Sequence, residues 1–321
     1  MAVYTEIGDG ELDRLLADYD IGGAVACTGI AEGVENSNFL LQTTGGMFIL
    51  TIYEKRVNPA DLPYFLGLLA HLSERRFPCP LPVARLDGGV LSEVRGKPAA
   101  IVSFLKGRWP RKPKPRHAAA VGDILAALHI AGGDFPLSRP NDLGVRDWRE
   151  LAERCGARAD DVRAGLAAEI AGELDTLEAA WPADLARGVI HADLFPDNVF
   201  FMEDDLSGVI DFYFACNDIL VYDLAICLNA WCFEPDGAFN ITKARQMLEA
   251  YRARRALTRA EFDALPVLAR GASMRFLLTR LYDWLNHPEG AFVTPKNPLE
   301  YWRKLEFHRG VEQASAYGLD F

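Results

Sequence analysis

The N-terminal third of the chain shows the alternation of apolar and polar positions that is typical of half-buried β-strands. β-Branched and aromatic residues are enriched in "AVACTGIAEG", "NSNFLLQT" and "MFILTIYEK", and the glycines of "TTGG" suit a hairpin turn between the last two. Apolar residues then recur at helical spacing in "NPADLPYFLGLLAHLSERR", before "PCPLPVARLDGGVLSEVRGKPAAIVSFL" returns to strand character. We therefore expect antiparallel strands, with one helix after the third strand.

From residue 117 onward the spacing of apolar positions is mainly helical. The exception is 188–213, where two short apolar segments flank an acidic turn and predict two strands. A basic segment with three prolines, 106–116, separates the two patterns and indicates an extended connector. This order predicts an α+β fold with two lobes: a small antiparallel-sheet lobe over 1–105 and a larger, mainly helical lobe over 106–321.

Composition and charge narrow the classes of function that fit this order of elements. The net charge of −11 repels polyanions, so nucleic acid is not expected as a partner. No segment approaches the ~20 uninterrupted apolar residues of a membrane span, and the first residues lack the pattern of a signal peptide. The six cysteines are scattered without CxxC spacing, which predicts neither disulfides nor a zinc site. We expect a cytoplasmic protein with no membrane partner, and the sequence leaves its oligomeric state open.

The segment "HADLFPDN" (191–198) places an acid and an amide where phosphoryl transfer needs them. That reaction requires a carboxylate that accepts a proton from the attacking hydroxyl, and oxygen ligands for the magnesium ion on the phosphates. The loop from Asp193 to Asn198 is short enough to bring both side chains together. Asp211, in "SGVIDF", returns beside Asn198 if the two predicted strands pair as a hairpin, and is then a second magnesium ligand. We expect His191 to be partly buried and to brace the loop, and Asp223 to cap a helix or tie down the loop.

These motifs resemble those of the aminoglycoside phosphotransferase and choline kinase superfamily, whose members are relatives of the protein kinases. The signature HxDxxxxN and the following Asp strand match "HADLFPDN" and "GVIDF", and "AALHIAG" and "YDLAI" match the helices on either side. Four further segments, "EGVENSNF", "FILTIYEK", "LNAWCFE" and "RFLLTRLYDW", are similar to the homoserine kinase branch of that fold. The resemblance implies a two-lobed protein-kinase-like fold, ATP and Mg²⁺ as cofactors, Asp193, Asn198 and Asp211 as catalytic residues, and Asn198 and Asp211 as metal ligands.

The resemblance also implies that the N-terminal lobe binds the nucleotide. Four residues of the loop between the first two strands would contact the phosphates: Gly33, Asn36, Ser37 and Asn38. An ordinary turn would have the same composition, so this alternative stays open. Phe104 and Leu105, at the end of the lobe, would line an adenine slot or would simply belong to the core.

One position departs from the pattern of the superfamily. Thr51 stands on the third strand, where these kinases usually have a Lys or Arg. A neutral hydroxyl cannot replace a positive charge on the phosphates of ATP. We therefore expect Lys55 to reach the phosphates, with Arg56 as an alternative, unless magnesium and backbone N–H groups suffice.

Recognition of the acceptor is expected in the helical lobe. On "RFLLTRLYDWLN", Arg280 and Asp283 are three residues apart and face the same side of a helix, with Arg275 more than a turn earlier. Arg280 would bind the carboxylate and Asp283 the ammonium of a free amino acid, and an intrahelical salt bridge is the alternative. Asn229 and Trp231, in "LNAWCFE", are further substrate-binding candidates, although a tryptophan is as often a packing residue.

Taken with the resemblance, the sequence predicts an ATP-dependent kinase that phosphorylates the hydroxyl of L-homoserine and gives O-phospho-L-homoserine, on the route to threonine. A kinase of the same fold that acts on choline, methylthioribose, hydroxylysine or an aminoglycoside is the first alternative. A non-catalytic pseudokinase that binds a nucleotide is the second. The presence of Asp193, Asn198 and Asp211 argues against the pseudokinase.

Overall fold

The computed structural model describes residues 5–30, 36–54, 57–287 and 295–321. The chain divides into two compact units, one of Met1–Gly107 with Ser207–Tyr213 and the other of Arg108–Leu206 with Phe214–Phe321. The division expected from the sequence, 1–105 and 106–321, treats each lobe as one continuous segment. In the structure, Ser207–Tyr213 belongs to the first unit instead. Phe212 and Tyr213 pack there against Phe77 and Tyr53.

The first unit is built on an antiparallel sheet. Its elements are α1 (Asp9–Leu16), β1 (Ala24–Gly29), β2 (Ser37–Thr43), β3 (Gly46–Ile52), α2 (Leu62–Glu74), β4 (Ser92–Val94) and β5 (Lys97–Ser103). The strands lie in the order β1-β2-β3-β5-β4, and each pair of neighbours is antiparallel. The structure confirms the predicted strands and the helix after the third strand. The sequence analysis does not predict α1, because its eight residues give only about two helical turns.

Side chains are buried on both faces of this sheet. On one face Leu50 and Ile52 of β3 join a core with three leucines of α1. Thr51 and Tyr53 alternate to the opposite face and are also buried. Burial on both faces explains why the end of β3 has a nearly continuous apolar sequence rather than an alternating one.

The second unit is mainly helical. Its helices are α3 (Pro115–Ala131), α4 (Trp148–Cys155), α5 (Ala159–Val162), α6 (Leu166–Ala180), α7 (Leu220–Trp231), α8 (Ile241–Arg254), α9 (Arg259–Asp263), α10 (Leu265–Leu285) and α11 (Leu299–Arg309). Its strands β6 (Arg187–Ile190) and β9 (Cys216–Ile219) pair antiparallel. Between them lie β7 (Val199–Met202) and β8 (Asp205–Val209), separated by a two-residue turn, and the boundary between the units falls within β8. Within the described ranges, no helix is both long enough and apolar enough to cross a membrane.

Helices α3 and α8 approach each other closely at Gly122. A Cβ atom at this position would lie 2.1 Å from the carbonyl oxygen of Met247, so a larger residue would force the helices apart. The close approach positions His129 near the end of α3, where its Nδ1 lies 2.7 Å from the hydroxyl of Tyr251 on α8. His129 Nε2 in turn contacts Asp223, which holds the loop after β6.

Candidate active site

The loop between β6 and β7 brings Asp193 and Asn198 together. The side-chain amide nitrogen of Asn198 donates to the backbone carbonyl of Asp193 at 2.8 Å and lies 3.3 Å from its carboxylate oxygen Oδ2. Ala192, just before Asp193, has a φ of +62°, in the left-handed region that L-residues rarely adopt. Strained backbone of this kind is common at functional sites, where the surrounding structure holds it in place.

Asp223 on α7 holds the start of this loop. Its buried carboxylate accepts hydrogen bonds from the backbone N–H groups of His191 at 2.7 Å and Ala192 at 2.9 Å, and His129 Nε2 lies 3.2 Å away. Burial acts to raise the pKa of Asp223, but the hydrogen bond and charge of His129 and the interactions with His191 outweigh it and lower that pKa. Asp223 therefore ties down the loop as a buried anion.

His191 is more deeply buried than the sequence suggested. Its side chain has no exposed area, and its Nδ1 accepts a hydrogen bond of 3.3 Å from the backbone N–H of Asp193. The imidazole thus braces the backbone of Asp193, which is the structural role expected from the sequence.

Two further side chains hold the loop through hydrogen bonds to its backbone carbonyls. Trp231 donates from Nε1 to the carbonyl of Leu194 at 2.7 Å, and Arg275 donates from Nη1 to the carbonyl of Ala192. Both side chains are buried. The structure therefore engages Trp231, which the sequence offered as a substrate contact or a packing residue, in positioning the loop after β6, and Arg275 has the same role.

Asn229, the other candidate on α7, is buried in a hydrogen-bonded cluster. Its amide nitrogen donates to the carbonyl of Ala269 at 2.9 Å, and its oxygen accepts from the Ser273 hydroxyl at 2.8 Å. His308 Nε2 lies 3.2 Å from the same oxygen. The amide thus links α7, α10 and α11, and its polar atoms are engaged within the chain.

Asp211 lies after β8 in the first unit and is exposed. Its φ of +65° is again in the left-handed region. The two residues that follow are anchored by aromatic contacts: Phe212 lies edge-on to Phe77 at 6.3 Å between centroids, and Tyr213 lies edge-on to Tyr53 at 5.5 Å. Burial raises the pKa of Tyr213 to about 12, so its hydroxyl keeps its proton. These contacts fix the backbone on which the Asp211 carboxylate is presented.

The side chains predicted to contact phosphate tie β2 to the end of β3. Asn36 accepts from the backbone N–H of Glu54 at 3.2 Å, Ser37 donates to the Glu54 carboxylate at 2.8 Å, and Asn38 accepts from the Thr51 hydroxyl at 2.8 Å. Two other predicted residues, Gly33 and Lys55, lie outside the described residues. The side chains of Asn36, Ser37 and Asn38 are therefore engaged with residues at the end of β3.

Glu54 belongs to an ion pair that the sequence analysis missed. Its carboxylate contacts the ammonium of Lys97 on β5, and this ammonium also lies 2.6 Å from the Thr5 hydroxyl. Burial acts to raise the pKa of Glu54, but the hydrogen bonds from Lys97, Thr5 and Ser37 lower it. The pairing of β3 with β5 could have suggested the contact, since Lys97 begins a strand next to the one that precedes Glu54.

Phe104 and Leu105 follow β5, as the sequence predicted for the end of the first lobe. The side chain of Phe104 is 37% exposed, which leaves an apolar surface available to a ligand. Leu105 packs against Gly208 so closely that a Cβ there would lie 2.6 Å from Leu105 Cδ1. Leu105 is thus at least in part a packing residue.

Arg280 on α10 forms an ion pair with α11. Its Nη1 lies 2.7 Å from a carboxylate oxygen of Glu300, and its guanidinium stacks 4.4 Å from the ring centroid of Tyr301. Asp283, the expected partner of Arg280, lies on the exposed side of α10. Sequence reasoning missed Glu300 and its i,i+4 partner Lys304, although "EYWRK" has the spacing of a helical ion pair.

Comparison with solved structures defines the class of fold. Amicoumacin kinase, in a complex with AMP-PNP and Ca²⁺, superimposes with a TM-score of 0.67 and 14% identity, covering 93% of this chain and 91% of that one. Choline kinase from Cryptosporidium parvum gives a TM-score of 0.64 and 15% identity, with 88% of each chain covered. These likenesses confirm the predicted α+β kinase-like fold.

Sequence comparison then gives the family. Residues 26–257 match the phosphotransferase enzyme family. Homoserine kinase of Rhodospirillum rubrum is 63% identical over 319 residues, covering 99% of both chains. Homoserine kinase of Rhizobium meliloti is 60% identical over 99% of this chain and 98% of its own length. The chain belongs to the phosphotransferase enzyme family, which confirms the resemblance of its motifs.

Proposed function

We propose that this protein is an ATP-dependent kinase that transfers the γ-phosphate of ATP to the hydroxyl of L-homoserine and gives O-phospho-L-homoserine for threonine biosynthesis. One observation carries the proposal: proteins named homoserine kinase are 60–63% identical to this chain over nearly the full length of both. Amicoumacin kinase and choline kinase share only 14–15% of their residues with it. At this level of identity, those two structures support the fold of this chain but do not indicate which acceptor it phosphorylates.

Asp193 is the proposed catalytic base. It positions the hydroxyl of homoserine and accepts its proton as the bond to phosphorus forms. Support comes from the loop, where hydrogen bonds from Asn198 and the buried contacts of Asp223 and Trp231 fix the backbone on both sides of Asp193. A base held in one orientation avoids the entropic cost of ordering it in the transition state.

Asn198 and Asp211 are the proposed ligands of Mg²⁺. The amide nitrogen of Asn198 donates to Asp193, so the amide oxygen is the atom left for a cation. Among the described residues, no cluster of three or more His, Cys, Asp or Glu side chains forms a metal cage. A donor set of one carboxylate and one amide oxygen fits Mg²⁺, which typically shares phosphate oxygens and keeps several waters. When bound, the ion would neutralise charge on the phosphates.

The first unit is the proposed nucleotide-binding unit. Backbone N–H groups from Gly33 to Asn38 contact the phosphates in this proposal, while Asn36 and Ser37 hold the loop to β3. Lys55 adds positive charge, and Phe104 with Leu105 contacts the adenine. We also propose a cytoplasmic location, in keeping with six cysteines that are all free thiols.

The choice of acceptor is tested by the release of ADP from ATP and Mg²⁺ with a panel of hydroxyl compounds: homoserine, choline, methylthioribose, hydroxylysine and kanamycin. Homoserine is expected to give the highest kcat/KM. Serine is expected to be poor, because its hydroxyl is one methylene short of the attack position. Faster turnover of choline or kanamycin than of homoserine would overturn the proposal, and no turnover with any acceptor would favour the pseudokinase.

A further inference from the structure

Two helices of the second unit present a compact charged cluster. We call it the α10–α11 cluster and define it as Arg280, Glu300, Tyr301 and Lys304. Glu300 lies 2.7 Å from Nη1 of Arg280 and 2.8 Å from Nζ of Lys304. Both cations also lie on the ring of Tyr301, at 4.4 and 4.3 Å from its centroid. Two cations and one anion leave the cluster with a net positive charge.

The anion of the cluster is accessible, whereas its cations are largely buried. The side chain of Glu300 is 51% exposed, and those of Arg280 and Lys304 are 12% and 9% exposed. Burial acts to raise the pKa of Glu300, but the charges of Lys304 and Arg280 outweigh it and lower the pKa to about 2. Glu300 therefore presents a fixed negative charge that a cationic group can approach from solvent.

The hydroxyl of Tyr301 is a buried donor for which the described residues provide no acceptor. The residue has no exposed area, and no hydrogen-bond partner for its oxygen is found in the described parts of the chain. Burial raises the pKa of Tyr301 and outweighs the opposing charge of Arg280, so the hydroxyl stays protonated. A buried polar group without a partner is rare in folded proteins and calls for an explanation, such as a ligand.

The cluster adjoins the catalytic loop. The ring of Phe195, in the loop, lies 5.0 Å from that of Phe276 on α10, and the Phe276 ring lies 5.1 Å from that of Tyr301. Lys304 also donates to the carbonyl of Asn229 at 3.0 Å, on the helix that holds the loop through Trp231. The ammonium of Lys296 lies 5.9 Å from the ring centroid of Phe195, which is a residue of the loop. An acceptor whose hydroxyl lies at Asp193 would therefore meet these side chains with its other end.

We propose that the α10–α11 cluster binds the amino acid end of the acceptor: Arg280 and the Tyr301 hydroxyl bind the α-carboxylate, and Glu300 binds the α-ammonium. A carboxylate can only accept hydrogen bonds, which matches the unused hydroxyl and the further N–H donors of the guanidinium. An ammonium can only donate, which matches the exposed oxygens of Glu300. The inference rests on the proposed homoserine kinase function and gives Glu300 the role that the sequence suggested for Asp283.

The test compares acceptors that lack one charged group. γ-Hydroxybutyrate is homoserine without its ammonium, and aminopropanol is homoserine without its carboxylate. In Glu300→Gln, the preference in kcat/KM for homoserine over γ-hydroxybutyrate is expected to fall about tenfold or more, because a hydrogen bond to a charged group is lost. In Tyr301→Phe and Arg280→Ala, the preference for homoserine over aminopropanol is expected to fall instead.

Controls separate recognition from folding. Tyr301→Phe removes a hydroxyl that has no partner in the described chain, so its Tm is expected to be unchanged. The KM for ATP is expected to stay the same in all three variants. Glu306→Gln changes an exposed carboxylate of α11 and is expected to leave every preference unchanged.

The outcomes distinguish this inference from the proposed function. If the parent enzyme phosphorylates homoserine but Glu300→Gln keeps its full preference over γ-hydroxybutyrate, the cluster does not bind the ammonium and the inference is wrong. Loss of that preference in Asp283→Asn, and not in Glu300→Gln, would restore the assignment made from the sequence. If the parent enzyme does not use homoserine, the proposed function itself fails.

Discussion

The carboxylate of Asp223 accepts a hydrogen bond of 2.9 Å from the backbone N–H of Ala192, a residue with a φ of +62°. An L-residue in the left-handed region costs about 1–2 kcal/mol relative to ordinary conformations. The buried carboxylate offsets that cost and fixes the chain direction just before Asp193. A fully buried residue of α7 therefore helps to set the orientation of the proposed base.

This relationship predicts that Asp223→Asn lowers both stability and turnover. The amide can accept only one of the two backbone hydrogen bonds without placing its own N–H group against the other donor. We expect a loss of about 3 kcal/mol in the free energy of unfolding, measured by urea denaturation, together with a lower kcat. The control is Asp123→Asn, which removes an exposed ion pair with Arg254 and is expected to cost less than about 1 kcal/mol. Equal effects of the two substitutions would contradict the role of Asp223.

Asp193→Asn tests the proposed base directly. The amide has nearly the same shape but cannot accept the proton of the acceptor hydroxyl. We expect kcat to fall by about 10²-fold or more, with little change in ATP affinity, because the group acts in the transition state. Steady-state kinetics and ATP titration measure the two quantities. Near-normal turnover would remove Asp193 from the mechanism.

Asp211→Ala tests the proposed metal site by a readout other than activity. If the Asp211 carboxylate holds Mg²⁺ on the phosphates, its removal should weaken ATP binding strongly in the presence of Mg²⁺ and only slightly in EDTA. Isothermal titration in both conditions measures this difference, and turnover is expected to be lost. The same affinity in Mg²⁺ as in the parent protein would show that Asp211 is not a ligand.

The sequence predicted the local geometry of the loop after β6 better than the packing around it. Asp193 and Asn198 lie five positions apart, so the chain alone brings them together. Trp231 was predicted to contact the substrate, with packing as the alternative, and Arg275 was noted only for its position more than a turn before Arg280. Their partners are backbone carbonyls of the loop, and such contacts depend on the tertiary packing of α7 and α10, which spacing along one helix does not reveal.

The same limit applies to the proposed acceptor site. Arg280 was predicted from its helix, and its expected partner, Asp283, was chosen from the same helix by i,i+3 spacing. The structure pairs Arg280 with Glu300 on α11, twenty residues later in the sequence. Arg280 and Glu300 meet only because α10 and α11 pack against each other. A single sequence contains no direct signal for that packing.

Substitutions of Lys55 and Thr51 test whether Lys55 supplies the charge of the usual strand lysine. Lys55→Ala is expected to raise the KM for ATP several-fold, because it removes positive charge from the phosphates. Thr51→Ala is expected to have a mild effect, since the Thr51 hydroxyl is engaged with Asn38. The matched control is Lys97→Met: Lys97 pairs with Glu54, so we expect a lower Tm and an unchanged KM for ATP. An unchanged KM in Lys55→Ala would point to the backbone N–H groups of the loop instead.

His308 makes stability depend on pH in a direction that can be worked out. Its Nε2 lies 3.2 Å from the Asn229 oxygen, which can only accept, and its Nδ1 lies 2.7 Å from the Tyr317 hydroxyl, so the neutral ring satisfies both contacts. Burial, with the charges of Lys304 and Arg270, lowers the pKa of His308 to about 3. The unfolded chain binds a proton here below a pH of about 6.5, and the folded chain does not.

Protonation of this histidine therefore favours the unfolded state as the pH falls from about 6.5 towards the folded pKa. The contribution of His308 should amount to about 2 kcal/mol between pH 6.5 and pH 5, since each pH unit corresponds to about 1.4 kcal/mol. Urea unfolding at both pH values should show a smaller difference for His308→Gln than for the parent protein, because glutamine does not titrate. His287→Gln, at an exposed position, should leave the difference unchanged. If His308→Gln retained the full loss of stability at pH 5, other groups would have to account for it, and the buried neutral imidazole would not be the cause.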